Sequence, residues 1–201
     1  AHPHDDRRDG PHAADRRDLA SPPTALPMVV EHVPTRTTTR TDRDGQTRLR
    51  SPEPADGQVM WALAERVGLD LNSPYAYVMW ADHHADTSVV AVDAAGEVLG
   101  FTIGFRIPAE PDAVFVWQIG VDDRARGRGI AGRMLDELVA RTGATVVEAT
   151  VTPGNVASAT LFRSLGARHG TVVEETPAYG EDLFPGGHEA EVRFRIPVAP
   201  R

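Results

Sequence analysis

The sequence contains no cysteine. Disulfides, thiolate metal sites and a cysteine nucleophile are therefore excluded, and any catalysis must proceed without a thiol of the protein's own. Lysine is absent too, so every fixed positive charge along the chain is an arginine and the phosphate loop GxxxxGK[ST] is impossible. No apolar run reaches the roughly 18 residues of a membrane span, and the opening AHPHDDRRDGPHAADRRD is charged throughout, unlike a secretory signal. The expectation is a protein of the cytoplasm with no membrane contact. What is present, 201 residues of which 41% are hydrophobic and 25% charged, suits one globular domain with a tail. The net charge is −8. Arginines and acids nearly balance before Ser51, so the acid excess falls on the later part. Such a surface is a poor nucleic-acid binder, because that affinity comes mainly from neutralising phosphates. A small cationic substrate fits it better.

Residues 1–46 read as a disordered, low-complexity tail rich in Pro, Asp, Arg, His and Thr, including TRTTTRTDRDG. The histidines of AHPH and His12 belong to that solvated tail and are assigned no metal. Regular patterning begins near Thr47 and defines one domain over 47–201. A short strand at Leu49 is followed by a helix in which Val59, Met60, Leu63 and Val67 share a face. A second short helix is capped by Asn72, Ser73 and Pro74. Three strands follow, Thr87 to Val92, Val98 to Ile107 and Val114 to Val121, the first two forming a hairpin. Then come a helix with Ile130, Met134, Leu135 and Leu138 inward and Gly143 at its end, and the buried strand ATVVEATV. A helix from Asn155 to Gly166 and two last strands, TVVEE and EAEVRFRI, complete the chain. The class is α/β, a mixed and mostly antiparallel sheet flanked by helices.

The stretch VDDRARGRGIAGRMLDELVAR places Arg124, Arg126, Arg128, Gly127 and Gly129 between a strand and a helix start. Glycines there let bare N–H groups approach a ligand, and the helix adds its positive end; the amides from Arg126 through Ile130 to Ala131 point to an anion such as a pyrophosphate. Gly127, Gly129 and Gly132 formally match the dinucleotide fingerprint GxGxxG. That fingerprint needs the first strand of a βαβ unit with an acid near the end of the next strand, whereas this loop follows an antiparallel run and Glu148 lies inside its strand.

The same residues resemble the phosphate loop [R/Q]xxGx[G/A] of the GNAT acetyltransferase superfamily, with Arg124, Gly127 and Gly129 in place after the family's fourth strand. NVASATLFRSLG resembles its second helix motif, through Asn155 and Gly166. The resemblance implies the GNAT fold and acetyl-CoA as cosubstrate, its pantetheine arm in a gap beside the strand carrying Ile119 and Val121. It also implies contacts from Asn155 and Phe162. DLNSPYAY, HADTSVVA, FVWQIGVDDRARGRG, TVTPGNVASATLFRSLGA and GEDLFPGGHEAEV are similar, more narrowly, to the diaminobutyrate acetyltransferase family. That likeness runs from Leu49 to about Ile196 and departs at His84, where an aromatic such as Phe is expected. It implies acetylation of the 4-amino group of L-2,4-diaminobutyrate for ectoine synthesis and osmotic protection, by a chain that is a homodimer in families of this kind. The competing functions are acetylation of another amine, an antibiotic or a protein N-terminus, and a GNAT module that binds coenzyme A without catalysis.

A diamine needs acids around it and a base. Asp70, Glu189 and Glu191 are candidates for the 2-amino group, each with the alternative of being a turn residue or a solvent-facing strand residue. In a regular strand Glu189 and Glu191 share a side and His188, also a substrate-binding candidate, takes the other, unless Gly186 and Gly187 bend the chain. Trp117 and Gln118 are substrate candidates of which alternation lets only one face the pocket. Glu191 is the first choice of base and Asp70 the second, with Tyr75 as a pocket donor and the N–H near Ile119 polarising the thioester. GNAT enzymes often use a tyrosine to protonate the leaving thiolate; Phe162 stands at that position, so water or Tyr179 must serve. HEAE lacks the second His of a zinc motif, Val192 standing there, and no metal is expected.

Overall fold

A computed structural model describes residues 40–41 and 47–199. The expected tail lies outside the described residues, apart from the two-residue strand β1 (Arg40–Thr41), which pairs with β2 (Thr47–Arg50). Next come α1 (Gly57–Arg66), α2 (Pro74–His83), β3 (Val89–Asp93), β4 (Val98–Ile107) and β5 (Glu110–Val121). After these follow α3 (Ile130–Thr142), β6 (Val146–Val151), α4 (Val156–His169), β7 (Glu174–Tyr179) and β8 (Glu191–Pro197). Among the described residues the strands form one eight-stranded sheet in the order β1-β2-β3-β4-β5-β6-β8-β7. Every pairing is antiparallel except β5 with β6.

Strand alternation divides the core between the two faces. Val90, Val92, Phe101 and Ile103 meet Met60, Leu63, Ala64, Tyr77 and Ala81 of α1 and α2, while Val89, Ala91, Val114 and Val147 meet the apolar stripes of α3 and α4. On α1 the buried stripe is Met60, Leu63 and Ala64, continued by Val67, an i, i+3, i+4, i+7 row. Val59, expected on that stripe, is one residue out of phase and 44% exposed.

Two expected boundaries are corrected. Gly166 does not close α4 but lies buried inside it, because a Cβ there would stand 2.5 Å from Val173 Cγ2, where the chain returns. The left-handed residue that ends the helix is Gly170, with φ +67°. The seventh strand starts at Glu174 rather than Thr171, because the Thr171 N–H donates to Gly166 O as the chain reverses. The Rossmann alternative is excluded: β5 ends the antiparallel run β3-β4-β5, and Glu148 is bound to Arg193 and Arg195 of β8.

Candidate active site

β5 and β6 are paired only at Ala113, Val114 and Phe115 against Val146, Val147 and Glu148. Past those residues β5 continues on β4 and β6 on β8, so a gap opens in the sheet beside Val116 to Val121. An extended arm with amide groups can lie there and complete the broken ladder. Ile119 and Val121 are half-buried against the core on the α3 side of this gap.

Above the gap, Asp122 caps a short 3-10 turn (Asp123–Ala125) by accepting the Arg124 N–H at 3.1 Å, and it pairs with Arg66 of α1 at 2.8 Å. Burial opposes ionisation of Asp122, but the Arg124 amide together with the Arg66 and Arg124 guanidiniums outweighs it and holds the carboxyl below its ordinary range. Gly127 and Gly129 then adopt φ values of +75° and +68°, left-handed conformations that cost a side-chain-bearing residue about 1–2 kcal/mol. Gly129 is the N-cap of α3 and supplies no side-chain acceptor, so the first-turn amides, including those of Ile130 and Ala131, have no side-chain cap. The Ile130 side chain itself is 2% exposed, in the core, which leaves only its main chain to contact a ligand. Arg126 pairs with Asp123 at 2.7 Å and Arg128 donates to Thr47 Oγ1 at 3.0 Å; both remain at the surface. The third glycine of the apparent fingerprint, Gly132, lies against the Arg168 guanidinium in the contact between α3 and α4.

On the opposite face the site is made of side chains from distant segments. A register shift pairs Ile103 with Gln118 and Gly104 with Val116, leaving Trp117 as the extra residue of a β-bulge. The expectation that only one of Trp117 and Gln118 faces this side is thereby corrected: the bulge turns both toward α2. Trp117 stacks on Trp80 at 4.9 Å, and His84 lies over the same indole at 4.3 Å, taking the place of the expected aromatic. Burial, then His83, lowers the pKa of His84 and favours its neutral ring. Gln118 is not a free substrate contact: its Oε1 accepts from the Tyr77 hydroxyl at 3.0 Å and its Nε2 donates to Asp70 O at 2.6 Å.

Glu191, the first residue of β8, is the electrostatic centre. Burial pushes its carboxyl above the usual range; Asp70 and Glu189 add to the rise, while His188 and the Thr150 hydroxyl oppose it. His188 Nε2 lies 3.7 Å from Glu191 Oε1, and Oε2 is buried without a hydrogen-bond partner. The fold thus brings Asp70, His188 and Glu191 into one field from the α1–α2 connection and the start of β8. Glu189 does not share a strand face with Glu191. It precedes β8 and accepts the Gly154 N–H at 3.2 Å, and the bend at Gly187, φ +95°, leaves His188 on the side of Glu191, stacked on Phe184 at 4.1 Å.

Tyr179 ends β7 directly across from Glu191 in the register and is 43% exposed. Tyr75 is 76% exposed at the start of α2; the engaged phenol is Tyr77, fully buried two residues on. Nothing local in the sequence separates the two tyrosines. Asn155 caps α4 through the Ser158 N–H at 3.0 Å. Phe162 is 2% exposed and packs on Phe194, so its side chain serves the core rather than an open surface. Among the described residues no group of three or more His, Asp or Glu side chains is placed to hold a metal ion, and no helix is long and apolar enough to cross a membrane.

A gapped sheet, a glycine turn at a helix start and a half-buried carboxylate of raised pKa are parts that suit an amine acetyltransferase. The chain belongs to the GNAT acetyltransferase family, whose model matches residues 58–167. It is 44% identical over 162 residues to the L-2,4-diaminobutyric acid acetyltransferase of Halalkalibacterium halodurans, an alignment covering 78% of this chain and 85% of that one. With the protein of the same name from Streptomyces avermitilis the identity is 43% over 155 residues, 74% of this chain and 87% of that one. Among solved structures, diaminobutyrate acetyltransferase EctA from Paenibacillus lautus, in complex with L-2,4-diaminobutyric acid and coenzyme A, superposes with a TM-score of 0.71. It is 38% identical, over 77% of this chain and 95% of that one. Within the GNAT family this chain groups with the diaminobutyrate acetyltransferases.

Proposed function

We propose that the chain transfers the acetyl group of acetyl-CoA to the 4-amino group of L-2,4-diaminobutyrate, giving N4-acetyl-L-2,4-diaminobutyrate for ectoine synthesis and osmotic protection. The observation that carries this reading is Glu191, a half-buried carboxylate with a raised pKa, 3.7 Å from His188 and in the field of Asp70. A primary amine has a pKa of roughly 10, so about one molecule in a thousand is neutral at pH 7, a deficit of about 4 kcal/mol. Glu191 takes the proton, directly or through water, and its raised pKa makes it a stronger base than an ordinary carboxylate.

The freed amine attacks the thioester carbonyl, the N–C bond forms, and the oxygen that becomes negative is held by the N–H near Ile119. Collapse breaks the C–S bond, and the thiolate takes a proton from water or from Tyr179. Asp70 holds the 2-ammonium group, so that the 4-amino group is the one presented, and Tyr75 offers a donor at the rim for the carboxylate. Trp117 walls the site. The turn from Arg124 to Ala131 holds the pyrophosphate of acetyl-CoA, with Asn155 contacting the arm. The working form is a homodimer in the cytoplasm.

The test is acetyl-CoA-dependent release of free thiol with L-2,4-diaminobutyrate, L-ornithine and L-lysine side by side, with the acetylated nitrogen assigned by NMR. Turnover confined to diaminobutyrate, with acetylation at N4, is expected. Binding of acetyl-CoA without turnover of any of the three would retain the fold and reject the substrate.

A further inference from the structure

An exposed carboxylate on a connecting loop defines a position only if its main chain is held. Asp70 lies between α1 and α2, where the Leu69 N–H donates to Ala64 O at 3.0 Å and the Trp61 indole N–H to Asn72 O at 3.0 Å. Both donors belong to the same helical layer as the loop. The bond from Gln118 Nε2 to Asp70 O, at 2.6 Å, ties the loop to the sheet.

The polarity of that tether is fixed by donor and acceptor inventory. A main-chain carbonyl only accepts, so the amide nitrogen of Gln118 must face Asp70. The amide oxygen then faces Tyr77 and accepts its hydroxyl proton at 3.0 Å. Tyr77 is fully buried and meets Phe101 edge-on at 6.1 Å, and the Asn72 backbone also lies at its hydroxyl. The bulge at Trp117 is what turns Gln118 toward this face at all. Leu69 also approaches so closely that a Cβ on Gly120 would stand 3.1 Å from its Cδ1, so the strand and the loop are fitted to each other on either side of the tether.

We infer that Gln118, oriented by Tyr77, is a positioning residue that sets the distance between Asp70 and the acetyl gap, and thereby the length of diamine accepted. This rests on the reading of Asp70 as the acid that holds the 2-ammonium group. β5 lines the gap where the thioester lies and also carries the tether. The span from the bound ammonium to the reacting amine is therefore gauged by one rigid strand rather than by a loop.

The experiment measures kcat and KM for L-2,4-diaminobutyrate, L-ornithine and acetyl-CoA in Tyr77→Phe and Gln118→Leu, each alone and combined with Asp70→Asn. For either single variant KM for diaminobutyrate rises roughly tenfold, the worth of a lost buried hydrogen bond. KM for acetyl-CoA stays within about twofold, and the preference for diaminobutyrate over ornithine narrows. Combined with Asp70→Asn, neither variant adds a further loss, because both act through Asp70.

If Gln118→Leu does not fold, Tyr77→Phe carries the test, since it frees the amide while leaving the volume of the side chain nearly unchanged. An unchanged diaminobutyrate-to-ornithine ratio, equal rises in both KM values, or losses that add to that of Asp70→Asn would overturn the inference while leaving Asp70 in its role. A silent Asp70→Asn would instead remove Asp70 from the site, and the inference with it.

Discussion

The two halves of the proposed site are built in different ways. The cofactor half is a single stretch, Asp122 to Ala131, whose chemistry resides in main-chain amides released by two left-handed glycines at the start of α3. The amine half consists of side chains from three separate segments, Asp70, Trp117 and the pair His188 and Glu191, which no single stretch of sequence brings together. Backbone chemistry tolerates many side chains but not a change of conformation. Side-chain chemistry depends on burial and on the charges that the fold assembles around a group.

Four measurements press on that contrast. Glu191→Gln removes the proposed proton acceptor and keeps the shape; kcat for diamine acetylation is expected to fall by about 100-fold or more, with acetyl-CoA affinity by calorimetry unchanged. Gly129→Ala does the reverse. The space around its Cβ is open, so the penalty is the φ of +68° alone, and the expected result is a rise of roughly tenfold in KM for acetyl-CoA with KM for the diamine unmoved. A change in both constants in either variant would mean that the halves are not independent.

The acid limb of the pH profile of kcat/KM is a finer probe. With Glu191 as the base, the limb is expected above the ordinary carboxylate range, because partial burial, with Asp70 and Glu189 nearby, raises that carboxyl. His188 opposes that rise, so His188→Gln moves the limb to higher pH. Asp70 adds to it, so Asp70→Asn moves the limb to lower pH; shifts in the same direction would reject Glu191 as the titrating group.

The smallest expected effect is on stability. Because the folded pKa of Glu191 is raised, its ionisation above that pKa costs the folded state, and the cost vanishes below the unfolded pKa. Glu191→Gln is therefore expected to melt at a higher temperature than the native chain at neutral pH, with the difference shrinking as pH falls through the acid limb, as read by calorimetry at several pH values.

Much of the fold was legible because it is local: Ser73 caps α2, Gly143 ends α3, and Asn155 caps α4 where the sequence places them. Gly166 misled because a glycine needed for close approach of Val173 looks, in sequence, the same as a glycine needed for a left-handed turn; Gly170 has the latter role. The bulge at Trp117 was invisible because it is a property of pairing with β4, not of β5 alone.

The sequence by itself determined the order of elements from β2 onward, the glycine turn before α3 and the family, since each is written in contiguous residues and fixed by short-range sterics and hydrogen bonding. Only the tertiary structure decided which acid sits in a field that raises its pKa, which tyrosine is committed to Gln118, and that Glu189 and Glu191 part company before β8. Desolvation and the field of distant charges act through space, and space between remote segments exists only once the sheet has formed.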